Sequence, residues 1–308
     1  MKAFRVIDFD KPATFCNIPR EQPKDGQVEV KIDACGLNFA DLLMQKNQYQ
    51  DTPNVPFTLG MEIAGEISAI GPNTQSPEVG SRVTVFAGQG GLAEYGYFPA
   101  ERLIKIPDSM PSEVAAGFQV AYGTSHIALT HCARLKKNDT LLVLGAAGGV
   151  GLTAVELGKY FGAQVIAAAR GQEKLNIAKR FGADVLIDTN KENLRDVVKS
   201  LGGADVVYDP IGGDLFKEAV RACKPEGKIL TIGFASGDIP VIAANYLLVK
   251  NLSVIGLNWG AYLKFNPKVI SSSVRELTKL YTDKILTPHI SHIFPSVSYT
   301  HLTLPTKA

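Results

Sequence analysis

The chain has no surplus of either charge, no cysteine pair and no long apolar run, and each absence removes a class of protein. Lysine plus arginine is 32 against 30 acids, a net charge of +2. No basic run with interleaved aromatics occurs either, so the footprint of a nucleic-acid binder is missing. The four cysteines, Cys16, Cys35, Cys132 and Cys223, are far apart and form no C-x-x-C pair. That argues against a disulfide framework or a structural zinc knuckle and fits a reducing, cytoplasmic setting. No run approaches the roughly 18 apolar residues of a membrane span. The opening MKAFRVIDFD is broken by Lys2, Arg5, Asp8 and Asp10, so a signal peptide is not expected. There is no G-x-S-x-G elbow to carry a hydrolase serine, no internal repeat and no low-complexity tract.

What is present is enough apolar residue to fill two cores. With 308 residues, 45% hydrophobic and 20% charged, the composition is that of a globular chain of about two domains. From Met1 to about Gly117, short alternating segments such as QVEVKIDA, EIAGEISAIG and SRVTVFAG are separated by glycine, proline and asparagine. This pattern predicts a compact antiparallel β domain with little helix. From Lys137 the pattern becomes strand then helix, repeatedly: TLLVLG, GVGLTAVELGKYFG, QVIAAAR, EKLNIAKRFGA, DVLID, NLRDVVKSLGG, ADVVYD, DLFKEAVRAC, GKILTIG. Apolar runs of this kind alternating with amphipathic helices predict a six-stranded parallel sheet covered on both faces, closing with LSVIGLN. A helix is expected near Lys268 to Tyr281 before the chain returns to the first domain.

The first strand-to-helix junction, LLVLGAAGGVGLTAVELGKYFGAQV, carries the strongest motif. The strand is read as ending at Gly145. Ala146, Gly148 and Gly151 then occupy the three small-residue positions of the dinucleotide fingerprint, with alanine replacing the first glycine. Small residues are required because a pyrophosphate must approach the backbone N–H groups at a helix N-terminus, where the macrodipole favours an anion. Ala147, Gly148, Gly149 and Val150 are the expected contacts. About twenty residues on, where an NAD site presents an acid to the ribose hydroxyls, the sequence has Ala169, then Arg170 and Lys174. Two cations without an acid suit a 2′-phosphate, so NADPH is the expected cofactor. The alternative is two solvated cations at a helix start.

CGLNFAD, FTLGMEIAGE, GLAEYGYFPAERLIKIP and GAAGGVG occur in this sequence. Together they resemble the medium-chain dehydrogenase/reductase superfamily over nearly the whole chain, and within it the zinc-independent NADPH:quinone oxidoreductases of the zeta-crystallin-like group. The resemblance implies a GroES-like antiparallel β-barrel domain beside a Rossmann domain and a small-molecule quinone or enone substrate. A homodimer is expected. Relatives that bind catalytic zinc carry ligands where this chain has Asn38, Met61 and Gln119. None of these is a thiolate or imidazole, so no metal is expected. The four-cysteine structural lobe is also missing, since VFAGQGGLA contains no cysteine. Cys35 is read as a small buried hydrophobe. The five histidines show no ligand spacing.

Without a Lewis acid, hydride transfer favours acceptors that delocalise the developing charge, namely quinones and α,β-unsaturated carbonyls. Asn38, at the head of the expected cleft, can offer an amide N–H to that oxygen, and Tyr49, which matches by position the substrate-facing tyrosine of the resembled family, a phenol; these are the expected catalytic residues. The other reading of each is structural: Asn38 satisfying a turn, Tyr49 a loop aromatic. Further cofactor contacts implied by the resemblance are Asn38 itself, Tyr122 and Thr124 in VAYGTSH, Gly233, Phe234 and Ala235 in TIGFASG, and Leu257 and Trp259. For Trp259 the alternative is packing between domains. Where many relatives end the third strand in tyrosine, this chain has Asp188.

The expected boundaries are 1–117 for the catalytic domain, 118–257 for the dinucleotide domain and 258–295 for the return. Residues 296–308, SVSYTHLTLPTKA, are read as a non-native tail. The functional alternatives are a non-catalytic NADPH-binding protein, sensor or structural, and a zinc alcohol dehydrogenase.

Overall fold

A computed structural model describes residues 1–295; the predicted tail, 296–308, lies outside the described residues. The chain divides into two compact units. The first runs from Met1 to Val120 and resumes at Thr287; the second spans Ala121–Leu286. The sequence placed these boundaries at 117 and 257. The observed boundaries fall later because one helix, Phe118–Ile127, runs through the first junction, and because a late helix, Pro267–Thr282, belongs to the second unit. There His126 lies 3.3 Å from Glu276.

In the first unit the strands are β1 (Lys2–Val6), β2 (Thr14–Asn17), β3 (Gln27–Gly36), β4 (Phe57–Thr58), β5 (Glu62–Ile70), β6 (Arg82–Phe86), β7 (Tyr95–Pro99) and β8 (Ile104–Lys105). They form a five-stranded sheet, β7-β3-β5-β6-β8, and a three-stranded one, β2-β1-β4, with antiparallel pairing throughout. Helix is confined to short pieces, chiefly α1 (Phe39–Gln45) and α2 (Ser112–Ala116). The alternation seen in sequence becomes an apolar layer of Val28, Val30, Ile63, Ile67, Val83, Val85 and Phe98. Full burial of each side chain of this size is worth about 1.5–3 kcal/mol. A second cluster, around Phe4, Met44, Leu59 and Met61, packs against α1 and Tyr49.

The second unit begins within α3 (Phe118–Ile127) and continues β9 (Thr140–Leu144), α4 (Gly149–Tyr160), β10 (Gln164–Ala169), α5 (Gln172–Arg180), β11 (Val185–Asp188), α6 (Leu194–Ser200), β12 (Ala204–Asp209), α7 (Gly213–Ala222), β13 (Cys223–Thr231), α8 (Ala244–Lys250), β14 (Ser253–Gly256), α9 (Tyr262–Phe265) and α10 (Pro267–Thr282). The strands make one parallel sheet in the order β11-β10-β9-β12-β13-β14. The order reverses direction next to β9, which creates the switch point at the strands' carboxyl ends where open α/β sheets bind ligands. Thr140 to Leu144 are all buried, as a central parallel strand requires. Gly158 lets α4 settle onto this strand, because a Cβ there would come 2.4 Å from Leu141 Cδ2.

Candidate active site

In the first unit, the end of β3 and the start of β5 lie side by side, with Gly36 opposite Glu62. The chain then turns at Asn38 into α1. Asn38 has extended backbone and caps the helix: its N–H donates to Asp41 Oδ2 at 2.9 Å, and the Asp41 N–H donates back to the Asn38 carbonyl at 3.0 Å. The other Asp41 oxygen accepts from the Gly60 N–H at 3.1 Å, tying the helix to the 59–60 loop. The Asn38 side chain points elsewhere, its Nδ2 donating to Glu62 Oε1 at 2.9 Å, while Glu62 Oε2 accepts from the Val120 N–H at 3.1 Å. Asn38 is therefore both turn residue and amide donor. Sequence reading named Asn38 but missed Glu62, the acid that holds its side chain.

Both acids are buried, Asp41 at 3% and Glu62 at 2% exposure. Burial pushes Asp41 up to about 6, against the backbone N–H groups of Asn38 and Gly60, which lower it. Burial also pushes Glu62 up to about 7, opposed by the bonds from Asn38 and Val120, with the Asp41 charge adding to the rise. Tyr49 is half-buried against the Phe4–Met61 cluster. Its phenol is raised by burial and then by the charges of Asp51 and Asp41, so it stays a hydrogen-bond donor near neutral pH.

The positions that hold zinc ligands in relatives have other work in this chain. Met61 lies in the apolar cluster, and Gln119 donates to Thr84 Oγ1 at 3.0 Å. Among the described residues no group of three or more His, Cys, Asp or Glu side chains comes together as a metal-binding set. Cys35 is packed so closely that a Cβ on Gly60 or Gly91 would meet its sulfur at 2.7 or 2.8 Å, and burial raises its thiol well above the ordinary range.

In the second unit, the strand-to-helix turn divides its glycines by task. The strand ends one residue earlier than expected, at Leu144, and Gly145 takes a φ of +58°. A Cβ on Gly151 would lie 2.2 Å from the Gly145 carbonyl oxygen, so that glycine serves the packing of helix on strand. Gly148 caps α4 with no side-chain hydrogen bond, and Gly148 and Gly149 are exposed. Around a Cβ on Gly149 there is nothing within 4 Å. The fold does not need glycine at 149, whereas an anion approaching the first-turn N–H groups does. The turn therefore fits a dinucleotide pyrophosphate.

Arg170 follows β10 directly and is exposed; neither it nor Lys174, in the first turn of α5, forms an ion pair among the described residues. The next residue, Gly171, has a φ of +84° and donates its N–H to Asp188 Oδ1 at 3.0 Å. Asp188, which the sequence marked only as a departure, is the acid that fixes the turn presenting Arg170.

The remaining predicted contacts are spread over three segments. On α3, Tyr122 is buried and donates its hydroxyl to Glu156 at 2.5 Å; Thr124 is also buried. Trp259 packs over α3, since a Cβ on Gly123 would come 2.6 Å from its Nε1. Leu257 is buried, with its N–H donating to the Thr231 carbonyl at 3.1 Å. Gly233, Phe234 and Ala235 follow β13, and the Ala235 N–H donates to the Pro210 carbonyl at 3.0 Å, which joins this loop to the one after β12. Asp209 braces that second loop by accepting from the Ile211 and Gly212 N–H groups at 2.7 and 2.9 Å.

Comparison with known proteins agrees with this architecture. Residues 24–108 match the family model described as "Alcohol dehydrogenase GroES-like domain", and residues 149–279 the one described as "Zinc-binding dehydrogenase". A quinone oxidoreductase-like protein 2 homolog of Nematostella vectensis is 43% identical over 274 residues, 87% of this chain and 75% of that protein. The quinone oxidoreductase-like protein 2 of Bos taurus is 38% identical over 297 residues, 95% of this chain and 85% of its own length. A quinone oxidoreductase from Thermus thermophilus, solved alone and with NADPH, superposes with a TM-score of 0.86 at 28% identity, covering 98% of this chain and 94% of that one. A mycobacterial protein solved with NADPH reaches 0.90 at 27% identity with the same coverage. With its parallel six-stranded sheet, its GroES-like antiparallel half and these relatives, the chain belongs to the medium-chain dehydrogenase/reductase superfamily, in the zinc-independent quinone oxidoreductase group.

Proposed function

We propose that this protein is an NADPH-dependent oxidoreductase that reduces quinones or α,β-unsaturated carbonyls without a metal. The observation that carries the cofactor half of the reading is the open first turn of α4, where Gly149 has space for a ligand and no packing reason to be glycine. Gly148, Gly149 and Val150 offer N–H groups to the pyrophosphate, and Ala147 lines the turn. Arg170 and Lys174 pair with the 2′-phosphate. Thr124, Gly233, Phe234 and Ala235 border the nicotinamide end, with Tyr122, Leu257 and Trp259 forming the buried wall behind it. NADPH bound there supplies the hydride.

The first unit supplies the groups that meet the acceptor. Its donors are neutral: the Asn38 amide, held by Glu62, and the Tyr49 phenol, kept protonated by burial. Donors of this kind stabilise an enolate or hydroquinone oxygen as charge develops on it, a contribution on the order of 10²-fold when well placed. They are weaker than a Lewis acid, which is why conjugated acceptors are the better match.

The test is NADPH oxidation across a panel of quinones and enones, with NADH as control and metal content measured on the same sample. Turnover with NADPH and no stoichiometric metal is expected. Binding of NADPH without turnover on any acceptor would favour a sensor or structural role. Zinc at one per chain, with activity lost to chelators and restored by zinc, would favour an alcohol dehydrogenase.

We also propose that the protein is a homodimer joined at the β14 edge. The strand pairs only with β13 among the described residues, and Val254 within it and Leu248 and Val249 on α8 are exposed, the last two at 78%. An apolar, unpaired strand edge of this kind invites a second copy. All four cysteines are free thiols, which fits a reducing cytoplasm.

A further inference from the structure

One buried acid that the proposed chemistry does not use touches a residue that it does. Glu62 begins β5 opposite Gly36, and its side chain lies across that glycine; a Cβ on Gly36 would come within 2.9 Å of both Glu62 Cγ and Oε1. Crossing at this point brings one carboxylate oxygen to Asn38 Nδ2 at 2.9 Å and the other to the Val120 N–H at 3.1 Å. Each oxygen takes one donor. The titratable groups facing Glu62 are Asp41 on α1 and Cys35 on β3; α3 contributes a backbone N–H in its first turn.

We propose that Glu62 is the positioning residue for Asn38, and that its protonation decides which end of the Asn38 amide is left free for the acceptor. The inference rests on the reading of Asn38 as donor to the acceptor's oxygen. With Glu62 ionised, one amide N–H is committed to Oε1. When Oε1 takes a proton from solvent it becomes a donor, and the group on Asn38 that suits it is the carbonyl Oδ1. The amide then turns over, releasing both N–H groups, while Oε2 keeps the Val120 N–H. No other bond is made or broken. Burial has already raised this carboxyl to about 7, so both forms are populated near neutral pH.

Glu62→Gln isolates the effect, because the glutamine amide has the donor and acceptor pattern of the protonated acid. Its NH2 donates to Asn38 Oδ1 and its carbonyl accepts from Val120. In the parent protein, kcat/KM for an enone should rise about threefold to tenfold as pH falls through about 7, the range of one net hydrogen bond. In Glu62→Gln it should stay at the acid plateau and be flat from about pH 6 to 8.5. A readout without turnover is the 1H–15N signal of the Asn38 side-chain amide in cofactor-free protein. It should move with a midpoint near pH 7 in the parent and stay put in the variant.

A midpoint that persists in Glu62→Gln would assign the titration to Asp41 or Cys35 and overturn the inference. A flat variant locked at the slow, alkaline level would overturn it as well, since the donor pattern of the protonated acid would then not free the Asn38 amide. If the variant does not fold, the parent spectrum decides alone: an Asn38 amide unmoved between about pH 5.5 and 8.5 excludes the switch. Asn38→Ala separates this inference from the reading beneath it. Unchanged turnover in that variant sinks the role of Asn38, whereas slowed turnover beside a still-titrating Glu62→Gln sinks only that of Glu62.

Discussion

Two alanine substitutions two residues apart should have opposite effects, and the difference tests whether the glycines of the α4 turn serve the fold or a ligand. Gly151→Ala puts a Cβ 2.2 Å from the Gly145 carbonyl oxygen, 2.9 Å from its carbonyl carbon and 3.1 Å from Ala146 Cα. All three atoms are backbone, so helix and strand must separate by about 1 Å, at a cost of about 1–3 kcal/mol for overpacking. In a unit of this size that lowers Tm by roughly 2–4 °C per kcal/mol. Gly149→Ala meets nothing within 4 Å and restricts the unfolded chain, so stability should hold or rise by up to about 1 kcal/mol. Its methyl group, however, stands where a phosphate would approach the first-turn N–H groups. Losing one charge-assisted hydrogen bond of about 1.5–3 kcal/mol weakens NADPH by roughly tenfold or more. Thermal melting and a fluorescence titration with NADPH read the two quantities separately. If Gly149→Ala melts as early as Gly151→Ala, or binds NADPH as the parent does, the assignment of Gly149 to ligand approach is wrong.

Arg170→Ala should raise the NADPH dissociation constant by about tenfold and leave NADH unchanged, because the lost partner is the 2′-phosphate; equal affinities in the parent protein would remove the premise. Tyr49→Phe should lower kcat and kcat/KM together, less than about tenfold for an activated quinone and more for an enone, with NADPH affinity untouched. A rise in KM alone would make Tyr49 a pocket wall. Val254→Lys, on the β14 edge, should shift the protein from dimer to monomer by light scattering, and a monomeric parent would end that proposal.

What could be read from the sequence was whatever the chain writes in consecutive residues. AAGGVG between an apolar run and an amphipathic helix marked the strand-to-helix turn proposed for the dinucleotide, because glycine spacing and helix N-terminus are both local. The repeating strand and helix units fixed the parallel sheet, and the absence of an acid after β10 was visible for the same reason. The Asn38–Glu62 contact was not. It spans 24 positions and depends on the β3–β5 register, which slips twice, between Glu29 and Val30 and between Ile32 and Ala34. A bulge of this sort moves a side chain by one place without leaving an apolar signature. Asp188 was legible as an unusual residue but not as the acceptor of the Gly171 N–H, since that bond joins the ends of two neighbouring strands. Nor could sequence show that the Tyr122 hydroxyl is directed at Glu156 on α4.

Three buried acids of the first unit pull stability in opposite directions with pH, and the balance can be worked out. Glu29, bound by Arg20 through two hydrogen bonds at 2.7 and 2.8 Å, is held down to about 2, first by that pairing and then by the Ser68 and Tyr97 bonds against its burial. A depressed carboxyl stabilises the fold above its unfolded value near 4.5 and loses that contribution as pH falls toward 2. Glu62 and Asp41 are raised, from 4.5 to about 7 and from 3.8 to about 6. Their folded states favour the proton, so the contribution is complete below the unfolded values and disappears as pH rises through the folded ones. Stability should therefore peak near pH 4, between the unfolded values of 3.8 and 4.5, and fall on either side. For Glu62 alone a rise of between two and three pH units corresponds to about 3 kcal/mol lost between about pH 5 and 8, at 1.36 kcal/mol per unit. Urea unfolding at pH 5, 6.5 and 8 measures it, and Glu62→Gln should flatten the decline by about that amount while leaving the acid limb, set by Glu29, in place. A parent protein as stable at pH 8 as at pH 5, or a variant with the parent's slope, would show that Glu62 is not held against its charge and would remove the buried acid from any account of how Asn38 is aimed.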